Sequence, residues 1–289
     1  MKICLSCETR FNADGWCCPS CGVQVVIENG ILHFAPGIIC EGAGFNPAYY
    51  AELARLESAN FWFSVRNSLI TQMLGIYFPK ARKFLELGCG TGYVMSGIAE
   101  AYPHLSLSGS ELFAQGLPFA AQRVPAATVF QMDARAIPYE SEFDVIGAFD
   151  VIEHIEEDER VLAQMHQAVA IGGGIMLTVP QHRFLWSQQD EYACHVRRYE
   201  AAELRGKVER AGFTVVRMTS FVSLLLPLMF LARRRKRGAD KEFDPMEELR
   251  IGGLLNTALK AVLGLEVALI RAGVSMPVGG SLMMVAMKR

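Results

Sequence analysis

An excess of charge of one sign is missing from this sequence. Across 289 residues, 28 Lys and Arg stand against 30 Asp and Glu, a formal net charge of −2 at a sequence pI near 6.3. Such a balance gives no global positive field to gather nucleic acid. The basic-then-apolar start of an export signal is missing too, because cysteines begin at Cys4. The expectation is a cytoplasmic protein with reduced thiols, in which paired cysteines serve a metal rather than disulfides. The most conspicuous apolar run, FVSLLLPLMFL at 221–231, has eleven residues and contains Pro227. That is short of the roughly 20 needed to cross a bilayer. Hydrophobic residues nevertheless make up 51% of the chain, and mean hydropathy is +0.22. The length suits one large domain with a small appendage, and the composition leaves apolar material beyond what a core requires.

What is present begins with the cysteines. Cys4 and Cys7 form one CxxC pair, Cys18 and Cys21 a second, with ten residues between the pairs. Two such pairs offer four thiolates to one tetrahedral ion, and Gly22 after Cys21 suits the tight turn of a metal knuckle. Residues 1–40 therefore read as a zinc ribbon, with a structural zinc, because four cysteines leave no open coordination position. Cys17 is a poorer-spaced substitute for Cys18. Cys40, Cys89 and Cys194 stand alone and read as packing residues.

Residues 84–94, FLELGCGTGYV, pass from a short apolar strand through a glycine-rich turn into a helix. Alone, that turn is a weak signal. Four further strands follow, at 105–112, 128–134, 142–155 and 172–181, with helical segments between them. Alternation of this kind predicts a doubly wound, mostly parallel α/β sheet, with a ligand beyond the carboxyl ends of its strands. Gly88, Gly90, Glu111, Asp133, Phe149 and Asp150 fall at those ends. A sixth strand at 212–220 and a seventh, antiparallel, at 280–289 complete a seven-stranded sheet.

With ELGCGTG at 86–92, Glu111, Asp133 and the FDVIGAFDVIEHI block in this order, residues 61–289 resemble a class I S-adenosylmethionine-dependent methyltransferase. The resemblance implies S-adenosylmethionine as cofactor. Gly88, Gly90 and Gly92 would let backbone approach its methionine portion, and Glu111 would accept both ribose hydroxyls. Asp133 matches the position that pairs with the adenine amino group, and Glu86 the acid at the amino end of the methionine. Cys89, Leu112, Ala134 and Phe149 adjoin these positions and join the expected cofactor set. Trp62 and Arg66, four apart on a helix ahead of the first strand, are expected to close over the ligand, Arg66 on its carboxylate, with residues 61–63 as a roof. A nicotinamide enzyme shares strand, turn and acid, but would prefer GxGxxG and would not require Asp133.

For an oxygen acceptor a base is needed, and His154 and His195 are the candidates. Glu153 with His154 also resembles a pair associated with a divalent ion in quinone-biosynthesis O-methyltransferases. The (N/D)PPY-like turn of amino-DNA methyltransferases is absent, since the fourth strand runs into FDVIEH. Residues 184–199 read as a substrate loop. Residues 221–279 read as a helical lid between the last two strands, its two apolar segments packed on each other. The lid would line a pocket for a hydrophobic, lipid-like acceptor, or touch a membrane peripherally through 221–237, where residues 233–237 are all basic. The readings carried forward are O-methylation of a small or lipid-like molecule, methylation of ribosomal RNA by a zinc-ribbon enzyme, and a non-catalytic scaffold. The domain plan is 1–40 ribbon, 41–220 core, 221–279 lid and 280–289 final strand.

Overall fold

A computed structural model of the chain describes residues 1–37, 49–236 and 250–289, without the side chains of 232–236. Cys40, the polar segment 238–249 and the basic side chains of 233–237 therefore lie outside the described residues. In chain order, β1 (Lys2–Ile3) and β2 (Arg10–Phe11) form a small antiparallel ribbon. A hairpin of β3 (Val26–Glu28) and β4 (Ile31–His33) turns at Asn29 and Gly30, whose φ of 51° and 80° are those of a type I′ turn. Then come α1 (Tyr50–Leu56), α2 (Phe61–Tyr77), β5 (Lys83–Leu87), α3 (Tyr93–Ala101), β6 (Ser106–Glu111), α4 (Leu117–Arg123) and β7 (Thr128–Gln131). After these follow β8 (Phe143–Phe149), α5 (Asp158–Ala168), β9 (Val169–Pro180), α6 (Gln188–Tyr192), α7 (Ala201–Arg210) and β10 (Phe213–Phe221). The chain closes with α8 (Leu226–Lys236), α9 (Gly253–Arg271) and β11 (Ser281–Lys288).

The main sheet has the order β10-β11-β9-β8-β5-β6-β7-β4-β3. Strands β5 to β9 run parallel, and β11 lies antiparallel between β9 and β10. Their apolar runs are buried on both faces, because helices cover both sides of a parallel sheet. The expected seven strands are all there, but among the described residues the sheet has nine. Strand β4 pairs in parallel with β7, Leu32 opposite Phe130 and His33 opposite Gln131, and brings β3 with it. Otherwise β7 would present an unpaired edge. The second half of the cysteine-bearing unit is thus continuous with the core sheet rather than a separate appendage. Trp16 secures the join, its ring 4.5 Å from that of Phe34 and 5.3 Å from that of Tyr139.

The insertion also departs from expectation. Pro227 stands in the first turn of α8, where no helical N–H is required, so it starts a helix instead of breaking one. Helix α9 takes α2 as its main partner instead of α8: Leu263, Val267 and Ile270 join Val65, Leu69 and Met73 in one apolar cluster. Asn256 clamps the start of α2, accepting from Phe61 N at 2.8 Å and donating to Ala59 O at 2.9 Å. The link to α8 is the buried carboxylate of Glu266, which accepts from the backbone N–H groups of Ser223 and Leu224, both at 2.9 Å. Because β10 runs parallel to β9, the insertion leaves the sheet at the carboxyl ends of the parallel strands.

Candidate active site

The turn between β5 and α3 needs three left-handed residues, and Gly88, Gly90 and Gly92 supply them with φ of 63°, 52° and 76°. Their roles differ from the expectation that all three admit a ligand. A Cβ on Gly88 would lie 2.6 Å from Val151 Cγ2, and one on Gly92 2.9 Å from Ala120 Cα, so these two are packing glycines. Only Gly90 of the three turns bare backbone toward open space, with nothing within 4 Å of a Cβ there. The Cys89 side chain points inward, and burial pushes its thiol well above its usual range, as suits a packing residue.

Glu111 ends β6 beneath this turn. Its Oε2 accepts from Gly90 N at 3.0 Å and its Oε1 from Leu112 N at 2.9 Å. Burial raises its pKa, and those backbone bonds pull part of the way back. Asp133, by contrast, is paired within the chain. Arg135 donates to it from Nε at 3.1 Å, from Nη2 at 2.8 Å and from its backbone N–H at 2.8 Å. Burial alone would raise the Asp133 pKa, but the Arg135 hydrogen bonds and charge outweigh it, and the carboxyl stays below its ordinary range. Between β6 and β7, Gln131 ties Leu112 O (3.0 Å) to Ala35 O (2.8 Å), so the β4 side of the sheet reaches the site. Ala134, after Asp133, packs against the second core cluster.

Arg66, on α2, is buried under the Trp62 ring, its guanidinium carbon 4.9 Å from the ring centre. Its Nη2 donates to Phe149 O at 2.7 Å and pairs with Asp150 at 2.5 Å. The expected ligand carboxylate therefore has a rival in the chain's own Asp150, which the sequence reading had placed at the strand end without a partner. Asp150 adopts φ 57°, a strained value for a non-glycine residue at the carboxyl end of β8. Glu86, 3% exposed, has Oε2 without a partner. Burial pushes its carboxyl up to about 8, against the pull of Arg66 and with a further push from Glu111.

On the other side of Asp150, Glu153, His154 and His195 bring three ligand-type atoms within 4.8 Å of one another, a donor set of the kind divalent ions take. Both Glu153 oxygens are buried without a partner, and burial, then Asp150, hold the carboxyl far above the usual range. Burial, then the neighbouring His195, lower His154 to about 4, so it is neutral at pH 7. The two imidazole rings are 4.8 Å apart. The expected substrate loop thus brings His195 to His154, and Asp190 on α6 fixes it there. Asp190 faces His195 Nδ1 at 2.9 Å, accepts from Arg198 Nε at 2.7 Å and caps α6 through Ser187. No sequence signal marked Asp190. Glu57 was missed as well: it follows α1, is buried, accepts from Thr91 Oγ1 at 2.7 Å and pairs with Arg123 at 2.8 Å. That network closes α1 over the glycine turn. A lone acid after a short helix has no pattern to reveal it.

In the amino-terminal unit Cys4 Sγ lies 3.6 Å from Cys21 Sγ, and Cys7 Sγ 3.6 Å from Cys18 Sγ. Four sulfurs about 2.3 Å from one ion would stand roughly 3.8 Å apart, so the cluster fits a tetrahedral zinc. Cys18, not Cys17, faces the cluster: Cys17 is exposed and its thiol lies 3.9 Å from Gly22 O. Thr9 hydrogen bonds pull the Cys7 thiol down to about 6, whereas Cys21, against the pull of the Val23 backbone, is pushed up by the Cys7 hydrogen bond and burial, so the thiols share their protons.

The profile of the methyltransferase-domain family matches residues 60–218, and the chain belongs to that family. Among curated relatives, ajmaline N-methyltransferase of Rauvolfia serpentina is 30% identical over 158 residues, 52% of each chain. The chain spans little more than half the length of the curated relatives it matches. Among solved structures, phosphoethanolamine N-methyltransferase 2 of Haemonchus contortus, in complex with S-adenosyl-L-methionine, superposes with a TM-score of 0.52 at 18% identity. The match covers 77% of this chain and 52% of that one. The [4+2]-cyclase SpnF gives a TM-score of 0.51 at 17% identity, over 76% of this chain and 80% of that one. Both show the fold alone, and the cyclase shows that one fold hosts different reactions.

The Glu86 shift generates a test. The native carboxyl keeps its proton up to about pH 8, whereas the unfolded one loses it near 4.5. Unfolding in that window releases a proton from this group, so the Glu86 contribution to stability falls as pH rises from 4.5 to 8. Urea unfolding at pH 5, 6.5 and 8 is expected to show Glu86→Gln gaining on wild type across the series. A pH-independent difference would contradict the shift.

Proposed function

We propose that the chain transfers a methyl group from S-adenosylmethionine to an oxygen of a hydrophobic, lipid-like small molecule. The observation that carries the cofactor reading is an excess of buried acid beside the open backbone of Gly90. Burial raises Glu86, Glu111 and Glu153 above their ordinary ranges, and Arg66 is the cation set among them. Such a pocket favours a cationic ligand, and S-adenosylmethionine carries a sulfonium and an ammonium.

Bound S-adenosylmethionine supplies an electrophilic methyl group. In this reading Gly90 lets the ligand lie against the turn, and Glu86 holds its amino end. Glu111 takes the ribose hydroxyls on lone pairs its two backbone bonds leave free. Leu112, Asp133 and Ala134 border the adenine, with Arg135 holding Asp133 ionised. Arg66, anchored by Asp150 and Phe149 O, and Trp62 close the methionine side and exclude water. For an oxygen acceptor, His195 removes the proton: Asp190 engages its Nδ1 and leaves Nε2 for the acceptor. His154, neutral through burial, stands beside it. Alignment of acceptor and methyl supplies much of the remaining rate.

The test is incubation of the full chain with methyl-labelled cofactor and cell extract. Label is expected in the organic phase, and Glu111→Ala is expected to bind cofactor at least tenfold more weakly, about 1.4 kcal/mol. Label in RNA, or unchanged affinity in the variant, would contradict the reading. An amine acceptor, in keeping with the N-methyltransferase in that relative's name, would leave turnover far less sensitive to His195→Ala.

We also propose one structural zinc on Cys4, Cys7, Cys18 and Cys21. Metal analysis should find one zinc per chain, lost in Cys4→Ser. Zinc retained in that variant would contradict the ligand set.

A further inference from the structure

Helix α9 is apolar on two opposite faces and buried on only one. Leu263, Val267 and Ile270 turn inward and are at most 7% exposed. On the other side Leu254, Val262, Leu265 and Leu269 recur at helical spacing and face solvent. Leu254 is 93% exposed and Leu265 59%. A helix that is apolar all round is ordinarily enclosed. Here only 22% of the most apolar 18-residue window is buried. Beside it, Leu224, Leu228 and Leu231 also face solvent at spacings of four and three, and Glu266 ties that turn to α9. Together these residues make an apolar surface of the kind that marks a contact with another phase or molecule.

Charge says which. Along α9 the cations are Lys260 and Arg271, both exposed on the side of the helix that borders α2, and its single acid, Glu266, is turned inside. In sequence, residues 221–279 hold nine basic and six acidic residues, while the rest of the chain holds nineteen and twenty-four. The insertion is therefore positive within a chain that is otherwise negative. At 19 residues α9 is long and apolar enough to cross a bilayer. Its inner face is nevertheless packed along α2, which fixes it against the core and allows it only to lie flat on a surface.

We propose that α9, with the start of α8, docks the chain on an anionic bilayer surface, helix axis in the plane of the interface. Helix α2, beneath α9, carries Trp62 and Arg66, so the docking face stands one helix from the candidate active site. The inference does not rest on methyl transfer, and vesicle binding can fail or succeed independently of it.

The test is co-sedimentation of the full chain with vesicles of phosphatidylcholine alone or mixed with phosphatidylglycerol. Wild type is expected to partition at least tenfold better onto the anionic vesicles. The double variant Leu254→Asp, Leu265→Asp should lose at least tenfold of that partition with an unchanged urea midpoint, since both side chains are more than half exposed. Lys260→Ser with Arg271→Ser should reduce binding to anionic vesicles only. Negligible wild-type binding to both vesicle types would overturn the proposal. So would a dimer in buffer that Leu265→Asp splits while no vesicle binds, which would make this face a contact between two copies of the chain.

Discussion

One buried guanidinium sets the terms for the rest of the site. Arg66 reaches from α2 to the carboxyl end of β8 and is held there by Phe149 O and Asp150. Its charge lowers the pKa values of Glu57, Glu86 and Glu153, with Arg123 adding to it at Glu57 and Arg198 at Glu153, yet all three stay above their ordinary range, because desolvation outweighs these cations. Without Arg66 their pKa values would stand higher still. With it, the pocket remains short of positive charge, which is the condition that a sulfonium with an ammonium would relieve. Asp150 sits at positive φ to make this pairing, so strain in one residue is held in place by the ion pair it makes.

The sheet's edge shows a second dependence. Strand β7 carries Gln131 and leads into Asp133, and it is covered by the β3–β4 hairpin. Four cysteines whose sulfurs lie within 4.8 Å of one another, a Trp16 ring against Phe34 and Tyr139, and an Asn29-Gly30 turn combine to deliver that hairpin. Gln131 then spans from Ala35 to Leu112, so the amino-terminal unit reaches the strand end where the adenine is proposed to lie. Folding of the small unit and order at the site are thus mechanically linked.

Much of the architecture was legible in the sequence, for identifiable reasons. Most of the parallel strands are apolar runs bounded by a turn and followed by a helix, with the serine-rich β6 the exception, and the glycine turn marks where they begin. Strands β3 and β4 escaped notice because three-residue strands have no periodicity, and their partner β7 is a hundred residues away in sequence. At the site, residue types were readable and partners were not. Glu111, Gly90 and Glu86 stand where the strand ends placed them. The pairings of Asp133 with Arg135 and Arg66 with Asp150 depend on side-chain directions that spacing does not encode. Glu57, just after a short helix, and Asp190, on one, are single acids, and only the packed chain shows that one closes on the glycine turn and the other aligns His195.

The central claim is that the carboxyl ends of β5 to β8 form one cofactor pocket. Hydrogen exchange of the full chain with and without saturating S-adenosylhomocysteine, the demethylated cofactor, tests it most directly. The account predicts slowed exchange concentrated at residues 88–92, 111–113, 133–135 and 149–151, with the outer face of α9 unchanged. Uniform exchange at these four stretches, or protection confined to another part of the chain, would contradict it.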